Sequence, residues 1–172
     1  SSVTGVQTCA LPIYGLDPAL AARRWASIDP DGSIARHMPV ERVIGSVLHL
    51  GASTPAPGVA RLTTAARIIV GEPTGGQSDR SERVAAVLER AGFITERAPS
   101  IQQEVWLKLW GNMTMNPVSA ITGATADRLL DDELVRGFLS QVMIEAAQIG
   151  ARIGLPISMT PEERHAITRQ IE

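Results

Sequence analysis

Lys108, Asn112 and Asn116 recur at four-residue intervals inside the stretch from Ile101 to Pro117. On a helix that spacing lines one ammonium group and two amides along a single face. Trp106, Leu107, Leu109, Trp110, Met113 and Met115 surround this face with apolar groups. Such surroundings disfavour the charged form of a lysine, so Lys108 could serve as a proton donor, with the amides holding the polar groups of a ligand. Spacing alone more often accompanies a plainer arrangement, in which the lysine stem snorkels along a core helix and both amides face solvent.

The element that carries these residues has readable ends. Ser100 can cap its start, and Pro117 is expected to kink or end it, because proline removes a helical donor. The small residues from Ser119 to Thr125 then let helices or a ligand approach the backbone, or simply form an interhelical turn. The longest helix is expected from Asp132 to Gly154. Its stripe of Val135, Phe138, Leu139, Val142, Ala146, Ile149 and Ile153 would serve as core or as a homodimer interface. Glu145 on it faces solvent by default. Thr160, Pro161 and Glu163 fit the N-cap, N1 and N3 positions of a last helix.

Upstream the pattern changes to short strands. Asp17 can cap a short helix begun by Pro18, and Asp29-Pro30-Asp31-Gly32 is a turn that ends it. Arg42 to Leu50, Val59 to Thr63 and Arg67 to Val70 are expected to form an antiparallel set, with a reversal at Pro55, Pro57 and Gly58. Residues 71–78 have too few of the right residues for a phosphate loop, since no lysine follows the last glycine, and read as a solvent loop. Ser78 or Asp79 then caps a helix with the stripe Val84, Val87, Leu88 and Ala91, the pair Asp79 and Glu82 fitting a capping box loosely, and Gly92 stops it. Phe93 to Arg97 closes a strand-helix-strand unit, and Pro99-Ser100 is the candidate domain boundary.

Composition narrows the function classes. Apolar residues make up 44% and charged residues 20%, with a net charge of −2, which is ordinary globular usage without the basic face of a nucleic-acid binder. No apolar run approaches the roughly 20 residues of a membrane helix. The one cysteine, Cys9, excludes an internal disulfide framework and fits a reducing, cytoplasmic setting. His37, His49 and His165 have no partner at ligand spacing, so no metal site is expected. Residues 1–14 resemble a translated sequencing-adapter read-through and are set aside as a non-native leader.

The run Trp106, Lys108, Leu109, Asn112, Asn116, Pro117 and the small residues after it resemble the opening helix of the C-terminal domain in ketopantoate reductases (2-dehydropantoate 2-reductases). The resemblance implies an α/β protein: residues 15–99 would be the remnant of a Rossmann-type nucleotide-binding domain, and 100–172 the front of an all-helical substrate and dimerisation domain, truncated at both ends. It also implies NADPH-dependent reduction of a 2-keto acid to a 2-hydroxy acid in pantothenate biosynthesis. Lys108 would be the catalytic residue, and Asn112 and Asn116 would bind substrate. The family's glycine-rich cofactor loop matches no position, so no cofactor-binding residue is assigned and the fragment is expected to be inactive alone. Another hydroxyacid dehydrogenase, or a non-catalytic helical interaction module, remains the alternative.

Overall fold

The computed structural model describes residues 26, 27, 29–63 and 67–171, and divides the chain into two units between Val105 and Trp106. The leader, Cys9 and the helix expected from Asp17 lie outside the described residues. In the first unit, β1 (Gly45–His49), β4 (Arg67–Gly71) and β5 (Ile94–Arg97) form a sheet in the order β1-β4-β5. β1 runs antiparallel to β4. The β4 to β5 pairing is parallel, as a strand-helix-strand crossover through α2 (Asp79–Arg90) requires.

β4 is the central strand and reads as an unbroken apolar run because both of its faces are covered. Ile69 packs with Val47, Ala98, Ile101 and Val105, while Ile68 and Val70 pack on Ala85 with Ile44, Leu88 and Phe93 beside them. β2 (Ala52–Ala56) and β3 (Val59–Leu62) pair only with each other, so the expected single antiparallel set is two sheets. Sequence reading missed β2 because it contains Pro55. The ladder shifts register between Ser53 and Ala56, which is how a strand accommodates a residue without an N–H.

Local capping accounts for the other differences. The Asp29 to Gly32 turn opens a short helix, α1 (Ser33–His37): the Asp29 carboxylate accepts from the Ile34 and Ala35 amides, both at 3.1 Å. Residues Val40–Arg42 form a 3-10 turn, so β1 starts at Gly45 and not at Arg42. The capping box of α2 is Ser78 with Ser81, and not Asp79 with Glu82: the Ser81 amide donates to Ser78 Oγ at 3.2 Å, and the Ser78 amide to Ser81 Oγ at 3.1 Å. α2 buries Ser81 and Ala85, whose small side chains permit close approach, and leaves Val84 and Val87 exposed, so the expected stripe is displaced. The 71–78 segment is no simple solvent loop. Glu72 is 5% exposed and bound by Arg80, whose Nε donates to Oε1 at 2.8 Å, and by the Ser78 hydroxyl.

The second unit is helical. α3 (Ile101–Thr122) begins in the first unit and continues through Pro117, which therefore neither ends it nor interrupts its assignment. Proline costs the helix one donor there, and the break comes only at Gly123, whose φ of 69° is left-handed. Six residues, too few for a clear period, make α4 (Ala126–Asp131), an element the sequence reading passed over. α5 (Glu133–Arg152) starts where Asp132 Oδ1 accepts from the Leu134 and Val135 amides, each at 3.0 Å. At 20 residues it is shorter than the 22 of α3, contrary to expectation. Its buried stripe is Leu139, Met143, Ala146 and Gly150, rotated from the expected one, and Phe138 and Ile149 are exposed. α6 (Pro161–Ile171) has the expected box: the Thr160 amide donates to Glu163 Oε2 at 2.8 Å, and the Glu163 amide to Thr160 Oγ1 at 3.2 Å.

Candidate active site

α3 is anchored in the second unit by Trp110. Its indole is fully buried and donates from Nε1 to the Met143 carbonyl at 2.7 Å, within a cluster of Met143, Ala146, Leu107, Met113, Ile157 and Met159. Thr114 is also buried, its hydroxyl donating to the Gly111 carbonyl at 2.9 Å. With Leu107, Trp110 and Met113 turned into that cluster, helical geometry sets Lys108 and Asn112 on an adjoining face. Lys108 and Asn112 are half-buried and Asn116 is exposed. The three sequence-predicted residues thus occupy one helix at one-turn intervals, with exposure rising toward its C-terminal end.

Lys108 is held below the ordinary lysine range, first by burial and second by the positive charge of Arg164. Arg164 lies in the first turn and a half of α6, and sequence reading did not single it out. Its guanidinium rests against Gly111: a Cβ at that position would stand 2.7 Å from Nε and 2.8 Å from Nη2. Burial pushes the Arg164 pKa down as well. A glycine in a helix interior costs about 1 kcal/mol relative to alanine, so Gly111 was the signal in the sequence that something approaches α3 closely.

α6 is positioned by its own capping box, by Arg169, which donates to Asp131 Oδ1 at 2.8 Å, and by the buried ring of His165. The surroundings of Arg164 are cationic: it also lowers the His165 pKa, after burial and alongside Arg136 and Arg169, while Glu162 opposes.

The depressed pKa of Lys108 carries a stability consequence. Below that pKa the ammonium is charged in both folded and unfolded chains, and its desolvation cost is fully present. As pH rises from there toward the unfolded value of about 10.4, the folded chain sheds its proton first and the cost is relieved. Lys108→Met is therefore expected to be more stable than the parent at neutral pH, with the gap narrowing in alkali. Urea unfolding of both chains from pH 7 to pH 10 checks this, and a gap that widened with pH would contradict it.

Comparison with known proteins places this geometry. Residues 100–171 match the family described as ketopantoate reductase PanE/ApbA C terminal. A 2-dehydropantoate 2-reductase from Mesorhizobium japonicum is 34% identical over 151 residues, covering 88% of this chain and 46% of the relative. A solved structure from Ralstonia solanacearum MolK2, assigned as a ketopantoate reductase, is 50% identical with a TM-score of 0.83, covering 89% of this chain and 48% of the other. The 2-dehydropantoate 2-reductase structure from Methylococcus capsulatus is 26% identical with a TM-score of 0.68, over 84% of this chain and 46% of that one. The chain spans about half the length of the curated relatives it matches.

Proposed function

Because the chain belongs to the ketopantoate reductase family, we propose that it forms the substrate-side part of an enzyme that reduces 2-dehydropantoate to pantoate with NADPH. Residues 15–99 are read as the end of the nucleotide-binding domain, and 100–172 as the start of the helical domain. The observation that carries the reading is Lys108, a half-buried ammonium on α3 whose proton is held weakly, one turn from the amide-bearing Asn112.

NADPH, when bound, supplies a hydride to the keto carbon. The carbonyl oxygen gains negative charge as that bond forms, and Lys108 gives it a proton, leaving a secondary alcohol and a neutral amine that water reprotonates. Asn112 and Asn116 hold substrate polar groups through their side-chain amides. No cofactor-binding residue is proposed: the strand-to-helix turn at 71–78 buries the Glu72 carboxylate, which would repel a phosphate. Exposed Leu134 and Phe138 on α5 support a homodimer through the helical domain. Among the described residues, no helix is long and apolar enough to cross a membrane.

The reading is tested by replacing the matched segment of the Mesorhizobium japonicum relative with this chain and assaying ketopantoate-dependent oxidation of NADPH. Turnover that requires both compounds is expected. A well-folded chimera that reduces no 2-keto acid would refute the reading. In the active chimera, Asn116→Ala is expected to raise KM by about 10-fold with kcat nearly unchanged, because an exposed amide that only holds the substrate contributes equally to ground and transition states. A kcat loss without a KM change would assign Asn116 a different role.

A further inference from the structure

The reductase reading leaves the most conspicuous neighbour of Lys108 without a task. Arg67, Arg80, Arg97 and Arg169 all have carboxylate partners, whereas among the described residues nothing accepts a hydrogen bond from the Arg164 guanidinium. It is half-buried, and a charge drawn out of water without a counter-ion is costly unless a ligand completes the pair. Resting on that reading, we propose that Arg164 binds the carboxylate of the 2-keto acid and so brings the adjacent keto oxygen to Lys108.

Geometry supports the assignment. Gly111 stands three residues after Lys108, on the same side of α3, and its lack of a side chain is what lets the guanidinium lie against the helix there. The carboxylate and ketone of a 2-keto acid sit on neighbouring carbons, so the group that holds one and the group that protonates the other must lie within about one helical turn. A guanidinium presents paired N–H donors that match the two carboxylate oxygens, which an ammonium does not. The nearby acids are otherwise placed. Glu163 is engaged by Thr160 in the helix cap, Glu162 acts on His165, and Glu104 stands one turn before Lys108 on α3. His165, the remaining titratable neighbour on α6, is buried and has its own pKa lowered, chiefly by burial.

The test uses the fact that Lys108 is the sole lysine of the chain. Chain labelled with ¹³Cε-lysine therefore gives one lysine signal, read against pH with and without ketopantoate. In the wild type, ketopantoate should raise the Lys108 midpoint, and the ketopantoate amide, which lacks the carboxylate, should not. Arg164→Gln should raise the midpoint of the ligand-free chain, since a neighbouring positive charge is gone, and weaken ketopantoate binding by about 10–100-fold. Gly111→Ala keeps both charges and improves helix propensity, but puts a methyl group where the guanidinium lies. It should lose ketopantoate binding to a similar degree while staying folded.

Arg164→Gln chain that binds ketopantoate within about threefold of the wild type overturns the proposal. So does a wild-type signal indifferent to the carboxylate, or unmoved by ketopantoate on the order of ten millimolar. Failure of the underlying reading has a separate signature, a reductase that keeps its kcat after loss of Lys108. An inactive Lys108→Ala enzyme beside an unimpaired Arg164→Gln would remove Arg164 alone.

Discussion

Lys108→Ala in the active chimera is expected to cut kcat by about 10²–10⁴-fold, the usual cost of losing a general acid. The loss should fall on kcat and kcat/KM alike, because the contact between ammonium and oxygen strengthens only as negative charge develops. Activity that depends on the protonated amine must also fall as pH rises through the Lys108 pKa. Burial, with the charge of Arg164 behind it, brings that fall to a lower pH than an ordinary lysine would set. Lys108→Arg should not rescue, since a guanidinium stays protonated and donates its proton far less readily. Steady-state kinetics across pH decides the matter. A Lys108→Ala enzyme within about threefold of the parent kcat would return Lys108 to the role of a snorkelling side chain.

Trp110→Ala should be the most damaging change to the fold of the second unit. Truncating a fully buried tryptophan costs about 3–5 kcal/mol, a large part of the 5–15 kcal/mol that typically stabilises a domain. The Met143 carbonyl would lose its donor as well. Trp110→Phe keeps most of the volume and forfeits the hydrogen bond, and should cost about 1–3 kcal/mol. Urea unfolding followed by hydrogen exchange on α3 and α5 separates the two terms. Near-equal losses for both variants would mean that the hydrogen bond, and not the packing, holds α3 to α5.

Features written into local chemistry were legible in the sequence. The Thr160 and Glu163 box, the Asp132 cap and the glycine stops at Gly92 and Gly154 need only residues within a turn of each other, and all are present. Positions decided by packing were not. The buried face of α5 follows Leu139, Met143, Ala146 and Gly150, because Gly150 admits the Trp106 indole and the Leu155 carbonyl, a choice no single-helix period encodes. Pro117 reads as a helix end, yet losing one hydrogen bond does not outweigh the rest of a 22-residue helix. At the candidate site, the spacing of Lys108, Asn112 and Asn116 was visible, since helix geometry alone fixes it. Arg164 was not, being 56 positions from Lys108 in a different helix.

The lone lysine has one more consequence, for proteolysis. A protease that cuts only after lysine has a single target in this chain, the bond between Lys108 and Leu109, in the midst of α3. A protease needs roughly an extended stretch of backbone, so the helix must come apart locally before the bond can be cut. When opening and closing outpace cleavage, the digestion rate measures how often α3 opens, and the yield of fragments 1–108 and 109–172 is a direct count of those events. A bound 2-keto acid that holds α3 closed would slow the cut without touching the protease.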